Sequence, residues 1–372
     1  GGAASGGGTA GVSGAVVVYT GIKETTARIG DGVQIFAENA IVVLAHSDNQ
    51  IYANVIGAAA GGTAGVGATV SVIVLQDTTT ASVGGTLEAG SIIIQAESNQ
   101  YLPLSATSIQ GGGTAAAGAS VGTIVFKGKT LAEVRPGATL IAASGDILIC
   151  AVSKETIDMT VIGAGAGGTA AVNGSFAVLV MNVTTQAIVG NGCTLKAENG
   201  TITVKAEDAT SLNLKTGNVT VGGTAAIGAA IEAAIYRNTV TAMIGNNCTV
   251  LAKAILVQAA SDRGITAKAV MAGAGGTASV NGSILVLSIG AATADSDANK
   301  ANTNGGGNSS SNASDEASKR GQAAVNHGYG QTVGAGDQNN QYVDEANSII
   351  TGLKEENKSL ISGYFTSAPV DD

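Results

Sequence analysis

Gly7-Gly8-Thr9-Ala10 is the first copy of a tetrapeptide that recurs at Gly61, Gly112, Gly167, Gly222 and Gly275. Successive copies are 54, 51, 55, 55 and 53 residues apart, and each is followed by a Gly/Ala-rich run and an apolar strand pattern. Self-similarity at a fixed period is typical of repeat architectures. We therefore predict that residues 1–296 are one structural unit repeated along the chain.

The composition favours a core of small and branched side chains. The 372-residue chain has 55 glycines, no Trp and 3% aromatic residues. Thin layers of Val, Ile and Ala fit this composition better than a globular core built on large rings. The formal net charge of -9, without a cluster of Lys and Arg in the sequence, argues against a nucleic-acid partner.

Each repeat divides into two halves of about 27 residues that read as strands and turns. In the first half, Val16 and Val18 alternate with period two, and after a short break Ala27 and Ile29 do the same. Turn-forming residues such as Gly30-Asp31-Gly32 follow. The pattern predicts an all-β fold, a right-handed parallel β-helix (β-solenoid) with about 27 residues per coil and two coils per repeat, forming a rod of roughly 50 Å.

The second half of each repeat carries a further alternating pattern. In the first copy it points Ile41, Val43 and Ala45 inward. A polar turn around Asp48 is expected next, followed by a strand with Ile51 pointing inward. Equivalent residues of successive copies are expected to stack in columns about 4.8 Å apart.

One strand of the first half is apolar on both faces. If the Val16 and Val18 columns point inward, the positions between them should be polar, yet they carry large apolar residues. These residues are Tyr19, Ile73, Leu75, Ile124, Phe126, Leu179, Met181, Tyr236, Leu287 and Ile289. We call this set the predicted association stripe. Lateral packing against another solenoid, a strand that bends so that both faces line a wide core, and an exposed binding stripe are the three interpretations.

The sequence changes in character after the last repeat. Residues 297–341 are rich in Asn, Gly and Ser, and this low-complexity composition predicts a flexible linker. In residues 342–372, Val343, Ile350 and Leu360 recur at helical spacing. A short C-terminal helix is therefore expected. Covering the open edge of the last coil, since an open sheet edge invites aggregation, and pairing into a coiled coil are its two candidate uses, and the segment has too few heptads to favour the second.

No motif carries catalytic or ligand-binding chemistry. The Gly-Gly-Thr-Ala copies do not match the phosphate-binding pattern G-x-x-x-x-G-K-[ST], and the glycine-rich nonapeptide of calcium-binding solenoids is missing. No outward column brings two carboxylates together, as polysaccharide cleavage requires. We expect no enzyme activity, no cofactor and no metal.

The three cysteines are expected to be free thiols. Cys193 and Cys248 occupy equivalent repeat positions, whereas Cys150 does not. With two coils per repeat, Cys193 and Cys248 would lie roughly 9 to 10 Å apart. That separation exceeds the reach of a disulfide, about 7 Å between Cα atoms.

The N-terminal residues, Gly1 to Ser5, lack the basic and apolar regions of a secretion signal. No run of the sequence approaches eighteen consecutive apolar residues, so no membrane span is expected. The chain begins within a repeat, and a solenoid needs a terminal cap. We therefore expect it to be a piece of a longer protein or a processed product.

The run from Gly167 to Val189, GGTAAVNGSFAVLVMNVTTQAIV, resembles the repeats of filamentous-haemagglutinin-like and leukotoxin-like bacterial surface adhesins. In these repeats a Gly/Ala/Val stretch leads to a Thr/Ala/Val strand and then to an I-x-V-x-A strand, here Ile202 to Ala206. The resemblance covers residues 1 to about 296. It implies an extracellular, adhesive rod or fibre at the cell surface, with further copies of itself and a host-cell or glycan surface as partners. A viral tail-fibre or spike segment, or a carbohydrate-binding or carbohydrate-cleaving β-helix, are the alternatives.

Overall fold

The computed structural model describes residues 1–290, which form sixteen β-strands and no helix. The strands are β1 (Gly2–Gly7), β2 (Ala10–Ile29), β3 (Gln34–Phe36), β4 (Ala40–Gln50), β5 (Ala53–Gly61), β6 (Ala64–Val83), β7 (Thr86–Ala89), β8 (Ser91–Gly112), β9 (Ala115–Val134), β10 (Thr139–Ala142), β11 (Ile147–Gly167), β12 (Ala170–Val189), β13 (Thr194–Gly222), β14 (Ala225–Ile244), β15 (Thr249–Gly275) and β16 (Ala278–Ile289). The all-β prediction is confirmed for this part of the chain. The predicted linker and C-terminal helix lie outside it.

Six strands form the first sheet, in the order β16-β14-β12-β9-β6-β2, and every pair is parallel. Each strand begins at the alanine of a Gly-Gly-Thr-Ala copy, and five of them are 20 residues long. The regular spacing of that tetrapeptide thus sets where the strands of the first sheet start.

Ten strands form the second sheet, which is also parallel. Its long strands include β8, β11, β13 and β15, and its short strands β3, β7 and β10 pair with one another beside the turns. β13 joins the two parts, because its first residues pair with β10 and its later residues pair with β11. A repeat therefore contributes a long strand to the first sheet, and a short segment followed by a longer one to the second sheet.

Hydrogen-bonded neighbours in both sheets are 51 to 55 residues apart, since each strand pairs with its equivalent in the next repeat. The prediction of 27 residues per coil and two coils per repeat is wrong: that size would place β2 beside β4, whereas β2 pairs with β6. The physical reason is that the expected break is missing, and Ala64–Val83 is one unbroken strand. Six stacked strands rise by about 24 Å, half of the predicted 50 Å.

The expected polar turn in the second half of the repeat is also strand. β8 runs from Ser91 to Gly112 without interruption, and Ser98 and Gln100 point inward from it. The predicted inward positions on either side of this segment are confirmed, because Ile92 and Leu102 are completely buried. The turn was predicted because polar residues in the middle of a strand, which here point inward, have the same composition as a turn.

The Gly-Gly-Thr-Ala corner joins the two sheets. A Cβ atom on Gly61 would lie 1.9 Å from the carbonyl oxygen of Ala64, and one on Gly62 would lie 2.1 Å from the carbonyl oxygen of Gly8 in the neighbouring coil. The amide of Thr63 donates to the carbonyl of Thr9 at 2.8 Å, so consecutive corners stack directly. Both glycines are needed because no side chain fits between the stacked corners.

A second turn lies between each long strand of the first sheet and the following short strand. It places glycine in the left-handed region at Gly85 (φ 77°), Gly137 (φ 76°) and Gly192 (φ 70°). In the fifth coil Asn247 takes this conformation, with φ 58°. The turns predicted at these positions are confirmed.

Two hydrophobic clusters fill the space between the sheets. One contains Ile92, Ile94 and Leu140, on the side of the short strands. The other contains Leu102 and Phe126, towards the Gly-Gly-Thr-Ala corners. A layer of buried polar side chains lies between the two clusters, on the strand segments that connect them.

Candidate functional site

The strongest surface feature is the outward side of the first sheet. In each strand, the alanine of Gly-Gly-Thr-Ala and every second residue through the next ten point away from the second sheet; in β6 these are Ala64, Val66, Ala68, Val70, Val72 and Val74. Across all six strands these positions hold only Gly, Ala, Val, Ile, Phe, Ser and Thr. We call this surface the apolar outer face.

The predicted association stripe lies on the opposite side of the same strands. Seven of its ten residues are 0–3% exposed and form part of the hydrophobic cluster that faces the second sheet: Ile73, Leu75, Ile124, Phe126, Leu179, Met181 and Tyr236. Tyr19, Leu287 and Ile289 are partly exposed because they lie in the first and last strands of the sheet. The structure therefore corrects the assignment: the stripe lines the core.

Strand alternation explains the correction. A break between Val16 and Ala27 would let both residues point inward, but β2 runs unbroken through both of them. Residues an odd number apart on a continuous strand point to opposite faces. Ala27 packs against the buried core, so Val16 faces outward. Counting back by twos from Ala27 in the sequence would have placed Tyr19 inward and revealed the apolar outer face.

The apolar outer face has the size of a protein interface. Six alternate positions span about 33 Å along a strand and six strands span about 24 Å, which gives a surface of about 800 Å². It is most open along the first coil, where Val12, Val16 and Val18 are 69%, 65% and 60% exposed. In the third coil Val121 and Val125 are 2% and 4% exposed. The face is therefore most accessible in its first strand and again in its last, β16, where Val280 and Ile284 are 41% and 38% exposed.

The outward side of the second sheet is different, because charged residues are interspersed there. His46 Nδ1 lies 3.4 Å from Glu97 Oε2, and Lys205 Nζ lies 2.7 Å from Glu207 Oε1. The hydrogen bond to Glu207 raises the pKa of Lys205. Exposed polar contacts of this kind stay hydrated, and an exposed ion pair such as Lys205–Glu207 contributes little to stability. The outward side of the second sheet therefore carries charged side chains, whereas the apolar outer face carries none.

The first of two networks in the buried polar layer is centred on Asp77. Its carboxylate accepts hydrogen bonds from Ser98 Oγ at 3.0 Å and Gln100 Nε2 at 2.9 Å. Asn49 Nδ2 donates to the same carboxylate and its Oδ1 accepts from Lys23 Nζ at 2.8 Å. The network joins the two sheets, since Asp77 lies on β6 and its partners lie on β4 and β8.

The second network contains a buried pair of carboxyl groups, Glu155 and Asp208. Burial, and then the charge of Asp208, raise the pKa of Glu155 well above its usual value. Ser153 Oγ donates to Asp208 Oδ2 at 2.9 Å, and the hydroxyls of Thr210 and Tyr236 are hydrogen bonded at 2.8 Å. Burial is also the main cause that raises the pKa of Tyr236 to about 12. Glu155 therefore keeps its proton to a higher pH than an exposed glutamate does.

Polar groups are also buried near the corners. Thr216 Oγ1 donates to Glu232 Oε2 at 3.1 Å, and burial raises the pKa of Glu232. Asn218 Nδ2 donates to the backbone carbonyl of Asn173 at 2.6 Å. These groups lie between the sheets, so they hold the two sheets in register, because a shift of one residue would turn every buried polar group outward.

Among residues 1–290, no three His, Cys, Asp or Glu side chains come close enough together to hold a metal ion. Cys150, Cys193 and Cys248 are free thiols in this structure. The same part of the chain has no helix with the length and hydrophobicity of a membrane span.

Comparisons with protein families, with curated proteins and with solved structures gave no match. The resemblance to bacterial surface adhesins thus depends on the repeat pattern of this sequence.

Proposed function

We propose that this chain is a structural and adhesive extracellular repeat protein that forms a rod or fibre by lateral self-association at a cell surface. In this proposal the two sheets and the short strands are the faces of a right-handed β-solenoid, with about 54 residues in each coil. The single observation that carries the proposal is the apolar outer face. Adhesion to a host-cell or glycan surface is the further role that the adhesin-like repeat pattern favours.

The size and composition of the face support a protein partner. Soluble monomers rarely expose apolar patches larger than a few hundred Å², and about 800 Å² per partner is typical of a stable interface. A flat surface without charged side chains has no electrostatic barrier to packing against its own copy. Two such sheets would pack about 10 Å apart, with Val and Ile side chains interdigitating between them.

The mass of the protein in solution tests the proposal. We expect the wild-type chain to be a dimer or larger by light scattering, and the double variant Val16→Lys/Val18→Lys to be a monomer, because two buried Lys charges oppose the packing. Thr26→Lys is the control: it adds a Lys charge to an exposed outward position of β2 that lies beyond the apolar outer face.

A wild-type chain that is monomeric over the accessible concentration range would refute lateral self-association. So would a double variant that associates as strongly as the wild type. A closed trimer would support the tail-fibre interpretation instead of the fibre at a cell surface.

A further inference from the structure

Cys193 and Cys248 lie one above the other in adjacent coils. Thr194 pairs with Thr249, and the amide of Thr249 donates to the carbonyl of Cys193 at 2.9 Å. Neighbouring strands are about 4.8 Å apart, which falls within the range of about 4.4–6.8 Å between Cα atoms that disulfides span. The coil of one full repeat thus brings together two thiols that a shorter coil would have kept apart.

The two side chains have the same orientation. Cys193 Sγ donates to the carbonyl of Arg135 at 3.2 Å, and Cys248 Sγ donates to the carbonyl of Gly190 at 3.1 Å. Arg135 and Gly190 are themselves equivalent, because their amides donate to the carbonyls of the last residues of β6 and β9. Burial is the main cause that raises the pKa of Cys193, and the thiol of Cys248 adds to it. The two sulfur atoms are therefore near neighbours.

We propose that Cys193 and Cys248 form a disulfide that ties the last short-strand segment of the stack to the coil beneath it. The oxidant is a low-molecular-weight disulfide such as oxidised glutathione. The thiolate of Cys248 attacks one sulfur of this disulfide and releases the first small thiolate. The thiolate of Cys193 then attacks the Cys248 sulfur and releases the second, so that two protein thiols are oxidised, one small disulfide is reduced and two protons are released.

The order of attack follows from exposure. Cys248 is partly exposed, since within residues 1–290 it lies in the last coil that has this column, whereas Cys193 is completely buried beneath it. The outer thiol reacts first and the inner thiol resolves the mixed disulfide. Ala138 occupies the same column in the preceding coil, so the surrounding core already accepts a small apolar group at this position.

The bond closes a loop of about 55 residues and holds the last described member of the column to the coil beneath it. A disulfide stabilises chiefly by restricting the unfolded chain, and the end of a stack is where local opening is least costly. Cys150 cannot take part, because its neighbours in the ladder are Gln95 and Lys205. The inference does not depend on the proposed self-association.

Equilibration of the full chain with oxidised glutathione, followed by thiol counting in denaturant, tests the proposal. We expect the number of free thiols to fall from three to one, and non-reducing peptide mapping to show Cys193 linked to Cys248 with Cys150 free. Cys248→Ala and Cys193→Ala, which copy the natural Ala138, should each keep both remaining thiols. Hydrogen exchange at Thr249 should slow at least tenfold on oxidation of the wild type and stay unchanged in either variant.

Three free thiols in the folded wild-type chain after equilibration would overturn the proposal. Linkages that involve Cys150, or that join two chains, would overturn it as well. The exchange measurement gives a separate readout on the folded protein, so a variant that folds poorly does not decide the outcome.

Discussion

Replacing Glu155 by Gln is expected to change the pH dependence of stability in a defined direction. Glu155 is 1% exposed, and burial beside Asp208 raises its pKa. The folded chain therefore keeps this proton at pH values where the unfolded chain has lost it. The free energy of unfolding then falls as the pH rises from the ordinary pKa of Glu through the raised pKa of the folded state.

The size of the effect is limited to one proton. A single titrating group changes the free energy of unfolding by at most about 1.4 kcal/mol per pH unit, so between pH 5 and pH 7 Glu155 accounts for a loss of at most about 2.7 kcal/mol. Gln has nearly the same shape and does not ionise. Gln100 already occupies the equivalent position of the neighbouring coil, where it donates to Asp77. A Gln at position 155 can donate to Asp208 in the same manner.

Urea unfolding at pH 5, 6, 7 and 8 measures the difference between wild type and Glu155→Gln. We expect the variant to gain stability relative to wild type as the pH rises, because all other titrating groups are shared. The reciprocal variant Gln100→Glu places a second carboxyl group beside Asp77 and should introduce a new loss of stability in the same direction. Parallel pH profiles for wild type and Glu155→Gln would refute the argument.

Three further substitutions test the packing. Gly113→Ala should destabilise the fold by about 3 kcal/mol in urea unfolding, because its Cβ would lie 2.0 Å from a carbonyl oxygen of the coil beneath. Gly264→Ala is the control and should have little effect, because the space around its Cβ is open. Asn247→Gly should raise the unfolding midpoint, since glycine adopts φ 58° without the cost of about 1 kcal/mol that other residues pay; a lower midpoint would contradict this. Phe126→Ala should cost about 3–5 kcal/mol, and an equal loss in Phe36→Ala, at an exposed position, would show that burial is not the cause.

The sequence predicted the strand character and the columns of equivalent residues, because stacked repeats place the same kind of side chain above itself. Ile92 and Leu102 were predicted inward and are buried. The coil size could not be predicted in the same way. Ser98 and Gln100 have the composition of a turn, yet they are inward residues of a long strand that meet the buried Asp77. Only the partner on the other sheet shows why polar residues are tolerated there.

The sequence pattern located the strands of the candidate surface, but the residues predicted to associate face the core and not the solvent. Both faces of β2, β6 and β12 are apolar, so hydrophobicity alone does not distinguish inside from outside. The larger side chains, such as Phe126 and Met181, are buried, and the small β-branched ones lie outside. Counting alternate residues from Ala27 shows which face of the strand points inward, and composition does not. The count is valid only if the strand is continuous, and the polar segment and the glycines hid that continuity in the sequence.

The short strands of the second sheet, β3, β7 and β10, have a consequence for how this molecule can change in length. In each repeat there are 20 residues from the first isoleucine of the second-sheet strand to the next corner glycine, as from Ile92 to Gly112 and from Ile255 to Gly275. By contrast, the distance from Leu87 to Ile92 is 5 residues and that from Leu140 to Ile147 is 7. The repeats thus differ in length only beside the short strands, while the long segments between them keep a fixed number of residues. Foreign segments grafted there would be displayed in a row along one edge without disturbing the register of the stack.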